Sequence, residues 1–376
     1  MRGDTSNTTV DRFWVYVMQT LGIHFCSADI SPFTIRIHAI HAQLMWEDIV
    51  DIQRGDDYRL KVQLRFVVAA TAVLLRFIRT SHLYIRRCCE LINTMDMRFI
   101  PVYGRPPELS EGVREDLTVL SQIIYLDNYL FLTCDGPSPK QTAKIEKEFR
   151  YELGKVYPIL FDICPLTMRT QGILLVRDTT LFLRICVSGE RVMDRWRETC
   201  SQLIQLLDEY SDVLLRNLRQ FLKIGDDAGG SLIASACISC LAHLAALYHF
   251  AARTEPAATA SDPMDKLCDR TLLKLATLTQ DARIKEYTYY DLLLKMSWKK
   301  SLEIFDARIS ALPSDERRTL QRLKGIVSQA HLDLQNNIPE CAPPELMMLT
   351  WLEDGRTETS RYPNLLSAVE RERFGL

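Results

Sequence analysis

A single amphipathic pattern, from Val192 to Leu222, constrains the fold of this chain more than any other feature. Its apolar residues recur every three or four positions: Val192, Trp196, Cys200, Leu203, Leu207, Tyr210, Leu214, Leu218 and Phe221. This spacing forms one stripe on a helix, whereas on a strand it would fall on both faces. Gly225 follows as a helix stop. The pattern predicts a helix of about eight turns with one buried face.

Proline and capping residues divide much of the remaining chain into further helices. Ser138-Pro139 and Asp262-Pro263 each place a capping residue directly before a proline, an order that begins helices. Pro313 separates a helix ending near Leu312 from a helix over about Glu316–Leu334. These signals predict helix starts after Ser138, after Asp262 and after Pro313.

Two short apolar segments, Phe131–Cys134 and Ile173–Val176, resemble strands, but neither has a turn-linked partner. No internal repeat occurs at solenoid spacing. We therefore predict an all-α fold class, a large multi-helix domain of about ten to fourteen helices.

Two loop-like segments suggest the organisation along the chain. Residues 253–261 are small and polar and are interrupted by Pro256, and residues 336–344 contain three prolines. We predict an N-terminal helical part at 1–252, a linker at 253–261 and the C-terminal helices of the same domain at 262–335. Residues 336–376 are predicted to be a Pro-rich linker and C-terminal tail.

Charge and hydropathy favour an ordinary soluble protein. The 376 residues contain 46 Lys and Arg against 48 Asp and Glu, a net charge of −2, which does not favour a dedicated nucleic-acid surface. The N-terminus lacks the apolar core of a signal peptide. The segment Gly229–Ala252 is long enough to span a bilayer, but its serines and histidines favour a buried helix.

The eleven cysteines are scattered, and their number is odd. This usage predicts reduced thiols in the cytosol or nucleus. Cys237, Cys240 and His243 could share one side of a helix as zinc ligands, but their apolar flanks favour thiols that pack between helices. For Cys88-Cys89, the adjoining Arg86-Arg87 could lower a thiol pKa and make it reactive, which is the less favoured reading.

A search for catalytic motifs nominates no catalytic, cofactor-binding or metal-binding residue and no cofactor. The dinucleotide, phosphate-loop, zinc-protease and serine-hydrolase motifs do not occur. The doublets Asp56-Asp57 and Asp226-Asp227 lack a third aspartate at a metal-binding offset and are predicted to be loop and capping residues. The pair His38 and His41 has no accompanying carboxylate or thiol pattern.

Two further segments bear on partners. The basic residues form short patches, Arg76/Arg79/Arg86/Arg87 and Lys299-Lys300, too short to track a phosphate backbone, so we expect negligible sequence-specific DNA binding. Pro343–Asp354 has bulky apolar residues between acids; it is either a final packed helix, the favoured reading, or a short helix that docks a coactivator groove.

The segment from about Ser81 to Asp178 resembles the regulatory part of fungal, particularly basidiomycete, zinc-cluster transcription factors. The resemblance rests on Cys89–Arg114, on Ile123–Pro137 and on Ala143–Arg150. Within it, Leu126-Asp127-Asn128-Tyr129 followed by Gly136-Pro137 is similar to the family's Leu-Asp-Arg…Gly-Arg-Pro pattern, which closes a helix and turns into the next. Asn128 stands where that pattern has arginine.

This resemblance implies a helical middle homology regulatory domain that acts in the nucleus on an attached DNA-binding and activation module. The family reads DNA through a six-cysteine zinc cluster that begins Cys-x2-Cys-x6-Cys. In this chain the Cys-x2-Cys pair is Cys237/Cys240, and no cysteine follows at the required offset. The chain is then either a truncated or divergent member, or a regulator that does not read DNA itself.

The leading hypothesis is therefore a non-enzymatic regulatory domain of a fungal transcription factor. Its expected partners are transcriptional co-regulators, a homodimer partner and a small-molecule effector, with DNA reached only through a zinc cluster that this chain lacks, and no membrane. The alternative is a helical enzyme or binding protein for an apolar small molecule. A third reading is a scaffold or dimerisation module that uses Val192–Leu222 as its contact helix.

Overall fold

The computed structural model describes residues 14–15, 17–19, 58–74, 78–94, 111–133, 142–150, 164–187, 196–254, 263–281, 292–313 and 317–337. All regular secondary structure in these ranges is helical, so the predicted all-α fold class is confirmed. The helices, in chain order, are α1 (Tyr58–Leu74), α2 (Ile78–Thr94), α3 (Glu111–Thr133), α4 (Ala143–Glu148), α5 (Pro165–Val187), α6 (Trp196–Ile224), α7 (Asp227–Thr254), α8 (Pro263–Gln280), α9 (Leu292–Ala311) and α10 (Arg317–Asn337).

The chain forms two compact units, which divide within α3 after Leu130. The first unit contains α1, α2, most of α3, and α4; the second contains the end of α3 and the helices from α5 to α10. Helix α7 ends at Thr254 and α10 ends at Asn337, close to the two predicted linkers. Residues 255–262 and 338–376 lie outside the described residues, so the predicted domain organisation stays a prediction.

In the first unit, α1 and α2 pack against each other through small polar side chains. The Ser81 hydroxyl donates a hydrogen bond to the Ala69 carbonyl at 2.9 Å. The Cys88 thiol donates to the Val62 carbonyl at 3.7 Å. Both donors are buried and cannot reach water, so the carbonyls of the neighbouring helix supply their hydrogen-bond acceptors.

In the second unit, α7 is the central helix. Helices α5, α6, α8 and α9 pack around it, and α10 packs on α8 and α9. From Ala228 to Ala252 helix α7 has no Asp, Glu, Lys or Arg, so every face of it can be buried. Among the described residues this is the helix long and apolar enough to cross a membrane by length and composition, and 89% of its most apolar window is buried in the fold. The prediction of a buried helix at Gly229–Ala252 is confirmed.

Helix α6 has the predicted stripe and the predicted stop. Cys200, Leu203, Leu207, Leu214 and Leu218 are buried along one face. Gly225 has a φ of 76°, the left-handed conformation that glycine adopts at low cost, and the Asp226 amide then donates to the Phe221 carbonyl at 3.1 Å. Trp196 is the first described residue of this helix, and residues 188–195, with the predicted start at Val192, lie outside the described residues.

Asp226 begins the next helix. Its Oδ1 accepts a hydrogen bond from the Gly229 amide at 2.9 Å, which is the contact between an N-cap residue and the third helical residue. The prediction that this aspartate is a capping residue is therefore confirmed. A Cβ at Gly229 would lie 2.6 Å from the Asp226 carboxylate, so a larger residue there would displace the capping side chain.

We expect Asp226→Ala to lower the free energy of unfolding by about 1 kcal/mol, because the first turn of α7 would lose its capping acceptor. Asp226→Asn is the matched control, since asparagine caps helices equally well. Urea unfolding of both variants measures the difference. An equal loss of stability in the two variants would show that the carboxylate charge, and not the cap, matters.

The other predicted boundaries have mixed outcomes. Pro263 is the first residue of α8, and Pro313 lies between α9 and α10, as predicted. The rejection of short strands at 131–134 and 173–176 is confirmed for the residues described, because 131–133 belong to α3 and 173–176 to α5. Helix α4 begins at Ala143, and residues 134–141, with the helix start predicted after Ser138, lie outside the described residues.

Candidate functional site

The three residues considered as a zinc set, Cys237, Cys240 and His243, are all buried on α7. The Cys240 thiol donates a weak hydrogen bond to the Gly172 carbonyl of α5 at 3.9 Å. Burial raises the pKa of Cys240 to about 12 and the pKa of Cys237 well above its usual value. Both thiols therefore stay protonated at neutral pH, in agreement with the reading that they pack between helices.

His243 is held as a neutral imidazole. Its Nδ1 lies 2.8 Å from the Ser239 carbonyl, and because a carbonyl only accepts, the proton is on Nδ1. Burial, and then the charge of Lys300 on α9, lower the pKa of His243 to about 3, although the backbone hydrogen bond opposes this shift. The imidazole is therefore uncharged over the whole physiological pH range.

Serine hydroxyls connect α7 and α9 beside His243. The oxygens of Ser239 and Ser297 are 3.1 Å apart, and the Ser297 hydroxyl donates to the Leu293 carbonyl at 2.8 Å. The Ser239 hydroxyl therefore donates to Ser297, since one hydroxyl has a single proton. These contacts hold two core helices together with polar groups satisfied by each other.

A charged cluster lies on α5. Asp178 is buried and accepts hydrogen bonds from Arg177 Nη2 at 2.9 Å and from Arg150 Nη2 at 3.1 Å. Sequence reasoning missed this cluster. Its signal is that Arg177-Asp178 interrupts a run of apolar and hydroxyl residues, where buried charges have to be paired.

A second charged cluster joins α8 to α9. Arg308 is 7% exposed at its side chain, and its guanidinium contacts Asp265 and binds Asp269 through two hydrogen bonds of 2.9 Å. Burial alone would lower the pKa of Arg308, but the hydrogen bonds and charges of Asp269 and Asp265 raise it. Sequence reasoning missed this cluster, although two aspartates four residues apart on one helix face were visible.

The motif that carries the family resemblance has a structural contact. Asp127, buried in α3, accepts a 2.8 Å hydrogen bond from the hydroxyl of Thr142, the residue directly before α4. Asn128 is also buried, and its side-chain amide donates to the Ile124 carbonyl of the same helix at 2.8 Å. We call the Asp127–Thr142 pair the α3–α4 clamp, because it ties one helix to the start of the next.

The less favoured reading of Cys88-Cys89 as reactive thiols gains no support from the structure. Both thiols are buried. Burial, and then the neighbouring thiol, raise the pKa of Cys88, while burial and the charge of Asp127 raise the pKa of Cys89 to about 12. Arg86, the exposed neighbour, pairs instead with Glu90 of its own helix.

Several other sequence candidates cannot be placed. His38, His41, Asp56-Asp57 and Pro343–Asp354 lie outside the described residues. Within the described ranges, no group of three or more His, Cys, Asp or Glu side chains is arranged to hold a metal ion. Comparisons with protein-family models, with curated proteins and with solved structures each found no match.

Proposed function

We propose that this chain is a non-enzymatic regulatory domain of a fungal transcription factor, which acts in the nucleus by binding co-regulators. The observation that carries the proposal is the α3–α4 clamp. The aspartate of the motif Leu126-Asp127-Asn128-Tyr129, on which the family resemblance depends, is buried and hydrogen-bonded across a helix junction. A role in helix geometry is what the family's pattern requires of this residue.

The buried polar groups of the second unit also support a binding role over a chemical one. The thiols of α7 are protonated, its His243 is neutral, and the carboxylates of the two charged clusters are occupied by arginines. These groups are therefore buried or paired within the helical core. We expect a co-regulator, a second copy of the chain or a small-molecule effector to act by binding one packing of these helices more tightly than another.

The proposal is tested by fusing the chain to an unrelated DNA-binding domain and measuring a reporter gene in a fungal cell. We expect the fusion to change reporter output by about fivefold or more relative to the DNA-binding domain alone, since regulatory couplings are typically of that size. An unchanged reporter, with the fusion present in the nucleus at normal level, would contradict the proposal.

The clamp is tested in the same cells with Thr142→Val. This change removes the hydroxyl donor but keeps the side-chain shape, and leaving a buried acceptor short of a partner costs about 1–3 kcal/mol. We expect the reporter response to fall by half or more at equal protein level. The matched control is Thr94→Val, because Thr94 is exposed and its hydroxyl bonds only within its own helix.

A further inference from the structure

Helices α9 and α10 form an antiparallel pair with an unusual concentration of positive charge. The Lys324 ammonium of α10 binds the Asp306 carboxylate of α9 at 2.5 Å, and the pKa of His331 on α10 is lowered by burial and then by Lys295 and Lys299 of α9. The two helices contain eight Lys and Arg against three Asp and Glu. One of the eight, Arg308, is buried and paired with the aspartates of α8, so its charge is not part of the exposed surface.

Two arginines at the start of α10 have no acidic partner among the residues described. Arg318 and Arg322 are both exposed and lie one helical turn apart. Lys324 of the same helix, by contrast, pairs with Asp306. The free arginines therefore present two adjacent guanidinium groups to a carboxylate partner.

Gly325 lies on the same exposed face, one turn beyond Arg322. It is exposed, and a Cβ built on it would meet nothing within 4 Å. Glycine in the middle of a helix is less stable than alanine, and no close approach within the described chain requires it. Without a side chain, Gly325 leaves room for another backbone to approach closely.

The exposed face ends in an apolar side chain. Gln329 and Leu332 continue the line of Arg318, Arg322 and Gly325, and Leu332 is 47% exposed. We call these five residues the outer seam of α10. It extends for about 21 Å, the length of a helix of about four turns.

We propose that the outer seam of α10 docks an acidic amphipathic helix of a partner protein. The carboxylates of the partner helix bind Arg318 and Arg322, the partner backbone approaches over Gly325, and an apolar side chain of the partner covers Leu332. A nucleic acid fits less well, because its phosphate backbone offers no apolar group to cover Leu332, which is 47% exposed. The inference stands apart from the proposed regulatory function and does not depend on it.

The test measures binding of a probe peptide to the full chain by fluorescence anisotropy. The probe is a fluorescein-labelled helical peptide of about 18 residues with Glu one turn apart on one face and Leu beside them, and the control peptide has Gln for each Glu. We expect micromolar binding of the Glu peptide and at least tenfold weaker binding of the Gln peptide, since charge complementarity gives the specificity.

Two variants of the chain separate the seam from general charge. Arg318→Glu/Arg322→Glu is expected to weaken binding of the Glu peptide by about tenfold or more. The matched control, Arg216→Glu/Arg219→Glu on the exposed face of α6, changes charge equally and should leave binding unchanged.

Gly325→Leu distinguishes docking from folding. Because the space above Gly325 is open and leucine favours helix, this variant should melt at a higher temperature than the natural chain and yet bind the Glu peptide at least tenfold more weakly. Equal binding of the Glu and Gln peptides, or no effect of the seam variants, would overturn the proposal. It would also be overturned if a 20-base-pair DNA duplex bound more tightly than the peptide and lost that binding in the double arginine variant.

Discussion

Replacing Phe182 by alanine is expected to lower the free energy of unfolding by about 3–5 kcal/mol, the largest effect of a single truncation that we predict. Phe182 of α5 is fully buried, and its ring meets that of Phe250 on α7 edge-on at 5.8 Å. Phe250 in turn meets Trp196 of α6 edge-on at 5.6 Å. The truncation would leave a cavity and remove the first link of a chain of three rings that joins three helices.

Urea unfolding of the variant and of a matched control measures this effect. Leu273→Ala on α8 is the control, because Leu273 is 48% exposed and its truncation should change stability by less than about 1 kcal/mol. A loss below about 1 kcal/mol for the Phe182 variant would mean that the surrounding helices collapse into the space and that the ring chain does not lock them.

Much of this fold could be predicted because local chemistry decides it. The stripe of α6 follows from residues three and four apart, and its end follows from Gly225, which no side-chain-bearing residue replaces at low cost. The burial of α7 follows from the absence of Asp, Glu, Lys and Arg over Ala228–Ala252. In each case the information is contained within one helix and its caps.

The strand-like reading of Ile173–Val176 shows where local information ends. A short apolar run without alternation has the same appearance in a buried strand and in a buried helix. In the structure the run lies inside α5 and its residues are buried. Only the neighbouring helices, which cover every face of the run, decide between the two, and they are distant in sequence.

The charged clusters were hidden for a related reason. Arg308 lies 39 positions from Asp269, and Arg150 lies 28 positions from Asp178. Because the partners are far apart in sequence, local patterns do not show that they pair. Cys88 and Cys89 show that neighbours in sequence do not decide the pKa of a thiol. Arg86 and Arg87 adjoin Cys88 in sequence, but burial raises the pKa of both thiols.

Acidification is expected to destabilise the second unit through His243. The pKa of this imidazole is lowered to about 3 in the folded chain, chiefly by burial, from about 6.5 in the unfolded chain. The unfolded state therefore binds the proton first, so this contribution to stability is complete above about pH 6.5 and is lost as the pH falls toward 3. Between pH 7 and pH 4 the loss from this residue is about 3 kcal/mol.

The measurement compares urea unfolding of the natural chain and of His243→Gln at pH 7 and at pH 4. Carboxylates titrate in both proteins, so the difference between their two pH dependences isolates the imidazole. We expect the variant to lose about 3 kcal/mol less than the natural chain over this range. The matched variant His331→Gln should reduce the pH dependence by much less, because His331 is half-buried and water can solvate its charge. Equal pH dependence in the natural chain and in His243→Gln would show that water solvates the imidazole in the folded chain, and would contradict the expected lowering of its pKa.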